Sequence, residues 1–335
     1  MLYVSTRNRT ESYTAHRALH EITAPDGGMF VPFKLPHFTK DQIRQLGQRS
    51  VCENIAHILS QFYSLKISGR DVEFCIGRYP VQIIALPHKL FIAEVWHNLS
   101  GQYAQMELAL YQRLSSIDAL PVTPQWVKIS IQCAFLFALY GCSPVAARTE
   151  TLDIAVDDCG FISPMAAWYA RAMGLPIGTI ICGSRDGSDV WNLTRLGELN
   201  GDVDRHMAAG LEHYIYAAID QQEAVKFADS VRDCTTYTVD PERMEDISRG
   251  LFAAVVSKDR INTMVCNFYR TSAYILDSSA AIGISALQDF RSTTGANRST
   301  LILSQENPVN ASSLYQGILG ISAAQIDQIV NHRKG

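Results

Sequence analysis

The sequence LDIAVDDCGFISPMAAWYARAMGLPIGTIIC, residues 152–182, decides the fold of this chain. Its first five residues form an apolar run that predicts a buried strand, and residues 177–182 predict a second one. Between them, Ser163 and Pro164 suit the N-cap and the first position of a helix that ends at Gly174. A strand, a helix and a strand of this length predict a βαβ unit, and therefore a parallel sheet.

The loop between the first strand and the helix carries Asp157 and Asp158. In a βαβ unit this loop commonly binds phosphate, because the helix N-terminus presents free N–H groups and a positive dipole end. A carboxylate about 5 Å from an anion costs a few kcal/mol at an effective dielectric constant of about 20. We favour a structural role for the aspartates, beside the helix dipole, over a catalytic one. The same carboxylates oppose thiolate formation at Cys159, which we therefore predict to be a core cysteine rather than a nucleophile.

Composition excludes several classes of function. The 335 residues are 47% hydrophobic and carry a formal net charge of −4, which indicates a globular chain with a large core. No lysine- or arginine-rich run points to nucleic acid or to an anionic membrane, and the apolar stretches are too short for a membrane span. No export signal is visible, and the eight cysteines form no C-x-x-C pair, so we expect a reduced, cytoplasmic protein with buried cysteines.

One histidine pair has the spacing of metal ligands. His16 and His20 lie one helical turn apart, but no acid or cysteine accompanies them. We interpret them as helix-surface histidines rather than as a metal site.

The N-terminus carries two motifs that are specific in combination. Residues 3–7 read Y-V-S-T-R, and residues 24–32 read A-P-D-G-G-M-F-V-P. Together they resemble the opening of threonine synthases. The resemblance implies the tryptophan-synthase-β-like fold of the fold type II pyridoxal-phosphate enzymes, and an activity that converts phosphohomoserine into threonine. It also implies a helical N-terminal domain, here residues 1–85, before a large α/β domain, residues 86–335.

The position of the cofactor lysine departs from the family pattern. Threonine synthases read E-L-F-H-G-P-T-L-A-F-K-D where residues 94–105 here read E-V-W-H-N-L-S-G-Q-Y-A-Q. In this comparison His97 matches the histidine, Ser100 the threonine and Ala104 the lysine that forms the Schiff base. Alanine has no amine and cannot form an imine, so we expect no pyridoxal phosphate.

Other functional columns of the family also change. The family motif S-G-D-T-G, which holds the substrate carboxylate, is absent, and a short linker near residues 114–125 stands in place of the small domain. Both glycines of the phosphate-binding G-N-F-G are replaced, by Cys159 and Ile162. Where the family has a histidine this chain has Ser279, and where the family has the threonine that faces the pyridine nitrogen it has Gln305. Structural glycines and prolines persist, so the resemblance predicts a fold that was kept after its chemistry was lost.

These observations predict an α/β protein: the parallel-sheet, three-layer large domain of this fold with a helical N-terminal domain and the small domain deleted. The leading functional hypothesis is a non-catalytic binding, scaffold or regulatory pseudoenzyme that forms a homodimer. One alternative is a cofactor-independent enzyme that acts on a small metabolite by acid–base chemistry in the former cleft. A second is a regulatory partner of an active threonine synthase. The candidate catalytic residues are His97, Asp157 and Asp158. The candidate ligand-pocket residues are Ser100, Gln102, Ala104, Cys159, Ser279, Gln305 and Glu306.

Overall fold

A computed structural model describes residues 1–116, 122–185 and 187–331. The strands of this part are β1 (Leu2–Ser5), β2 (Tyr13–Thr14), β3 (Phe30–Pro32), β4 (Gln82–Leu86), β5 (Leu90–Glu94), β6 (Leu152–Asp157), β7 (Ile177–Arg185), β8 (Glu198–Leu199), β9 (Tyr237–Thr238), β10 (Leu251–Val256) and β11 (Thr300–Ser304).

The helices of the same part precede, separate and follow these strands. They are α1 (Ala15–His20), α2 (Lys40–Gln45), α3 (Val51–Tyr63), α4 (Gly69–Ile76), α5 (Tyr103–Ser115), α6 (Gln125–Cys142), α7 (Ile162–Ala172), α8 (Asp189–Arg195), α9 (Arg205–Ala218), α10 (Gln221–Arg232), α11 (Met244–Ser248), α12 (Lys258–Ser272), α13 (Ser278–Thr294), α14 (Ser312–Leu319) and α15 (Ala323–Asn331).

The main sheet has the strand order β10-β7-β6-β11-β5-β4. Every neighbouring pair is parallel except β4 with β5, which form an antiparallel hairpin at the edge. The predicted βαβ unit is therefore confirmed: β6 and β7 pair in parallel and α7 connects them. All six residues of β6 are buried, as expected for a strand covered on both faces.

Helices cover both faces of the sheet and make three layers. Ile154 and Val156 of β6 belong to the core cluster on the side of α6 and α7. Ala155, between them, belongs to the other cluster, together with residues of α12 and α13. This alternation is the period-two geometry of a strand, so the three-layer α/β prediction is confirmed.

The start of α7 differs from the expectation. Ser163 was predicted to cap the helix, but α7 begins at Ile162, after Phe161 in the left-handed region (φ 54°). Ser163 lies inside the first turn, where its hydroxyl oxygen accepts a 2.8 Å hydrogen bond from Gln132 Nε2. The predicted end is confirmed. Gly174 has φ +103°, and a Cβ there would lie 2.5 Å from the carbonyl oxygen of Phe38.

The N-terminal region packs directly on the main sheet domain. It contains the small sheet β2-β1-β3 and the helices α1 to α4, of which α2, α3 and α4 have complete capping boxes at Thr39, Ser50 and Ser68. Trp126 of α6 joins the two parts, because its ring contacts Tyr3, Phe62 and Tyr169 edge-on at centroid distances of 5.5, 5.2 and 5.3 Å.

Two predictions about domain organisation stay predictions. The boundary after residue 85 falls inside β4, which pairs with β5 in the main sheet. The linker that was predicted to replace the small domain lies near residues 114–125, and residues 117–121 of it are outside the described residues. Within the described ranges, the main sheet is the single sheet with parallel strand pairs.

The prediction that the cysteines are buried is partly wrong. Cys52, Cys133 and Cys182 are buried, but Cys142, Cys159 and Cys234 are exposed. Cys159 is exposed because it follows the end of β6, where the chain leaves the sheet. No helix in residues 1–116, 122–185 and 187–331 combines the length and the apolar character needed to cross a bilayer.

Candidate functional site

The carboxyl ends of three adjacent strands, β6, β11 and β5, bring most of the predicted site residues to one edge of the sheet. Asp157 ends β6 and Asp158 follows it, Gln305 and Glu306 follow β11, and His97 follows β5. This edge is where open α/β sheets bind ligands, because the loops and helix N-termini converge there. The candidate site is therefore one region of the molecule.

Asp157 is buried and only half satisfied. Its Oδ2 accepts a short hydrogen bond from Ser279 Oγ, whereas Oδ1 has no partner in the described part of the chain. Burial raises the pKa of this carboxyl, and the hydrogen bonds from Ser279 and from the backbone at Cys159 oppose that rise. Asp157 therefore binds a proton more readily than an exposed aspartate does.

Asp158 titrates in a range that proton transfer can use. Burial raises its pKa to about 6, and repulsion from the neighbouring Asp157 adds to the rise. The pKa of the exposed Cys159 thiol is also raised, first by the protein packed around it and then by both carboxylates. The expectation that these aspartates oppose a thiolate at Cys159 is thus supported, although the residue is not in the core.

The residues after β11 are held by their neighbours. Gln102 and Glu306 form an antiparallel bridge, and Gln102 Nε2 donates to Glu306 Oε1 at 3.2 Å. The backbone oxygen of Gln305 accepts a hydrogen bond from Tyr103 N at 2.9 Å. The side chain of Gln305 lies 3.5 Å from Ser163 Oγ, at the limit of a hydrogen bond. The polar groups of this segment are largely engaged within the protein.

A buried carboxylate that the sequence analysis did not single out fixes this arrangement. Asp277 is the N-cap of α13, where its Oδ1 accepts from Ala280 N at 3.1 Å. Its Oδ2 accepts from the backbone N–H groups of Gln305 at 2.7 Å and Glu306 at 3.1 Å. Asp277 therefore ties α13 to the end of β11. A helix-capping pattern points to the first contact only, because the other two partners are far away in sequence.

Ser100 and Ala104 lie at the entrance of the region. Ser100 is exposed, and its hydroxyl donates to Asn98 Oδ1 at 2.8 Å. Its backbone oxygen accepts a hydrogen bond from Asn310 Nδ2 at 2.8 Å. Ala104 is the second residue of α5 and is exposed.

His97 has a different carboxylate partner from the expected ones. Its Nε2 lies 2.9 Å from Glu94 Oε2, and its ring stacks on Trp96 at a centroid distance of 4.3 Å. Tyr274 donates to the other oxygen of Glu94 at 2.7 Å. Because β11 separates β5 from β6, the two strand ends are about 10 Å apart. His97 therefore does not share a hydrogen-bonded cluster with Asp157 and Asp158, as the sequence had suggested. The i, i+3 spacing of Glu94 and His97 was the available signal for the true pair.

The ring nitrogens of His20 lie close to backbone oxygens, and its ring stacks on that of His16. The ring centroids are 4.0 Å apart, and the two nitrogens lie 2.7 Å from His16 O and 3.1 Å from Ser115 O. The described residues contain no group of three or more His, Cys, Asp or Glu side chains placed to hold a metal ion.

Comparisons with known proteins agree with the predicted resemblance. Residues 2–79 match the family model described as the threonine synthase N terminus. Two curated relatives, both named threonine synthase-like 2, come from Rattus norvegicus and Mus musculus. They are 29% and 25% identical to this chain over 118 residues. Each match covers 32% of this chain and only 24% of the relative, so it spans about a quarter of the length of these proteins.

The fold comparison extends over almost the whole chain. The pyridoxal-phosphate-bound threonine synthase from Brucella melitensis superposes with a TM-score of 0.81 at 16% identity, over 99% of this chain and 94% of that one. The threonine synthase from yeast superposes with a TM-score of 0.79 at 13% identity, over 98% and 93%. The chain has the threonine synthase fold, and its N-terminal region is similar in sequence to that family.

Proposed function

We propose that this protein is a threonine-synthase-like pseudoenzyme, which carries no pyridoxal phosphate and acts by binding a ligand or a partner. The observation that carries the proposal is a hydrogen bond between two residues at positions where this chain departs from the family pattern. Ser279 and Asp157 stand where the family resemblance implies a histidine and the phosphate-binding loop, and here they hydrogen-bond to each other. Gln102 pairs with Glu306 in the same region. Side chains that satisfy one another in this way stabilise the sheet edge rather than contact a bound cofactor.

The residues present do not fit the cofactor. Ala104 offers a methyl group where an amine is needed, and it lies exposed at the start of α5. At the position of the phosphate loop both family glycines are replaced, by Cys159 and Ile162, and the preceding Asp157 and Asp158 would repel a phosphate dianion. Lys128 acts electrostatically on Cys159, but it belongs to α6 and not to the position that matches the Schiff-base lysine of the family.

The test is reconstitution of the full chain with pyridoxal phosphate. After dialysis and borohydride treatment we expect no visible absorbance band and no pyridoxyl-lysine in a peptide map. Lys128→Ala serves as the matched variant, because it removes the lysine that acts electrostatically on Cys159. An imine band in the wild type that disappears in Lys128→Ala would overturn the proposal, as would threonine formation from phosphohomoserine.

A cofactor-independent enzyme is the second candidate, and the pair His97–Glu94 favours it. Its 2.9 Å contact has the geometry in which a carboxylate orients a histidine base. His97 and Ser100 also line a cavity of about 580 Å³ beside the end of α4. A turnover screen of small metabolites tests this function with His97→Gln against His88→Gln, an exposed histidine of the β4–β5 turn. Activity lost only in His97→Gln supports the enzyme, and equal activity in both variants excludes His97 as the base.

The remaining parts of the proposal concern assembly. We propose a cytoplasmic homodimer, or a complex with an active threonine synthase as the regulatory alternative. Light scattering of the purified chain and co-purification from its own host separate these outcomes. A dimer mass supports self-association, whereas a monomer that elutes with a catalytically active threonine synthase supports the regulator.

A further inference from the structure

A second cavity, with a volume of about 650 Å³, lies outside the predicted site. The segment between α1 and β3, the first turns of α6 and α9, and one side of α10 enclose it. None of the candidate residues from the sequence lines it. The volume is in the range of small-molecule sites, which are concave and mostly apolar with a few polar groups. The cavity is therefore large enough for a metabolite.

The side chains that line this cavity carry more positive than negative charges. Arg7 is neutralised by Glu212, whose oxygens it contacts through Nε at 3.0 Å and Nη2 at 2.8 Å. Lys128 and Arg205 also line the cavity, and neither forms an ion pair in the described ranges, although Lys128 acts electrostatically on the carboxyl of Glu107. Asp202 is the other acidic lining residue that the structure describes. Two unpaired cations against one carboxylate favour an anionic ligand.

The wall around Arg7 is held in place by the two N-terminal motifs. Thr6 Oγ1 donates a short hydrogen bond to Glu212 Oε1, and Glu212 is 3% exposed. Asp26 Oδ1 accepts hydrogen bonds from Ser5 Oγ at 2.7 Å and from Gly28 N at 3.0 Å. A Cβ on Gly28 would lie 2.2 Å from Ser5 Oγ, so only glycine permits this approach. The S-T-R and P-D-G-G motifs therefore fold against each other and position one side of the cavity.

The helix N-terminus at this cavity is already capped. Asp204 Oδ1 accepts from His206 N at 2.9 Å and from Met207 N at 3.3 Å. A ligand anion must therefore be bound by side chains rather than by the first amides of α9. The lining also has apolar side chains, which include Met29, Val122, Val203, Phe227 and Val231.

We propose that this cavity binds a small organic anion that also has an apolar body. The anionic group is a carboxylate or a phosphate monoester, and Lys128 and Arg205 bind it. The apolar body contacts Met29, Phe227 and Val231. This cavity adjoins the former cofactor region, since Lys128 acts electrostatically on Cys159, but none of the candidate residues of that region lines it. The inference does not depend on the loss of pyridoxal-phosphate chemistry.

Calorimetry on the full chain tests the inference with three matched probes: phenyl phosphate, 3-phenylpropanoate and the neutral 3-phenylpropanol. We expect at least one anion to bind with a Kd below about 1 mM, and the neutral alcohol to bind at least tenfold more weakly, since a tenfold change corresponds to about 1.4 kcal/mol. The tighter of the two anions identifies the head group. Failure of both anions to bind, or equal affinity for the alcohol, would overturn the proposal.

Variants locate the binding. Lys128→Gln and Arg205→Gln should each weaken the anion at least fivefold, while Lys66→Gln, an exposed lysine that does not line the cavity, should leave the Kd unchanged. If a charge variant does not fold, Ala209→Leu fills the cavity from α9 without changing its charge, and it should abolish binding. Unchanged affinity in Ala209→Leu places the anion elsewhere and refutes the site, whatever happens to the cofactor.

Discussion

Ser279 Oγ donates a short hydrogen bond to Oδ2 of Asp157, which joins the first turn of α13 to the end of β6. Ser279 stands where the threonine synthase resemblance implies a histidine, and Asp157 lies in the segment that leads into the position of the phosphate-binding loop. Two changes that would each be costly alone thus compensate each other, because a buried carboxylate gains a donor and a hydroxyl gains an acceptor. The contact gives the former site a structural role in the present fold.

Removing this donor should be costly. In Ser279→Ala both oxygens of buried Asp157 lack a side-chain donor, and we expect the free energy of unfolding at pH 7 to fall by about 1–3 kcal/mol. Urea unfolding measures the change, with the exposed Ser292→Ala as control. In Ser279→Ala/Asp157→Asn the loss should be much smaller, since the unpaired charge is gone. An additive double variant would show that the two side chains are not coupled.

The ionised side chain of Asp158 should lower the free energy of unfolding at neutral pH. Its pKa in the folded protein is about 6, above the unfolded value of 3.8, so the ionised form is disfavoured in the folded state. The penalty is absent at pH 3, grows as the pH rises through 3.8, and is complete above pH 6. Asp158→Asn should therefore stabilise the protein by about 1–2 kcal/mol at pH 8 and leave stability unchanged near pH 3. A loss of stability at pH 8 would mean that the carboxylate is paired.

Asp277 should be among the most sensitive positions at the sheet edge. Its carboxylate accepts three backbone hydrogen bonds, from Ala280, Gln305 and Glu306. We expect Asp277→Ala to lower the free energy of unfolding by about 2–4 kcal/mol, because it removes a helix cap and the acceptor of two further N–H groups, those of Gln305 and Glu306. Asp277→Asn should recover part of the loss. Asp259→Ala, in the exposed first turn of α12, is the control in the same denaturation series. Equal effects of the two alanine variants would contradict the role of Asp277.

The sequence was sufficient for local features and insufficient for distant pairings. The apolar runs of β6 and β7 and the stop at Gly174 depend on neighbouring residues, and all were predicted correctly. Pairings such as Ser279 with Asp157 join residues 122 positions apart, so no local pattern reveals them. The cavity near Lys128 was missed for the same reason. Its walls come from four separate segments, and α9 and α10 carry no motif of their own.

His213 should make the protein sensitive to acid. It is fully buried against Trp126, and neither ring nitrogen has a hydrogen-bond partner in the described part of the chain. Burial lowers the pKa of His213 to about 3, whereas the unfolded chain binds this proton near pH 6.5. Protonation therefore favours the unfolded state, and stability should fall as the pH drops below 6.5, by up to about 1.4 kcal/mol per pH unit.

In His213→Leu an apolar side chain of similar size replaces a buried imidazole that has no hydrogen-bond partner and that titrates. The difference in the free energy of unfolding between pH 7 and pH 4.5 should therefore become smaller. Thermal unfolding at both pH values measures it, and His88→Gln, exposed in the β4–β5 turn, controls for loss of an ordinary histidine. An unchanged acid dependence in His213→Leu would show that His213 finds a partner when protonated, and that the low pKa does not govern acid stability.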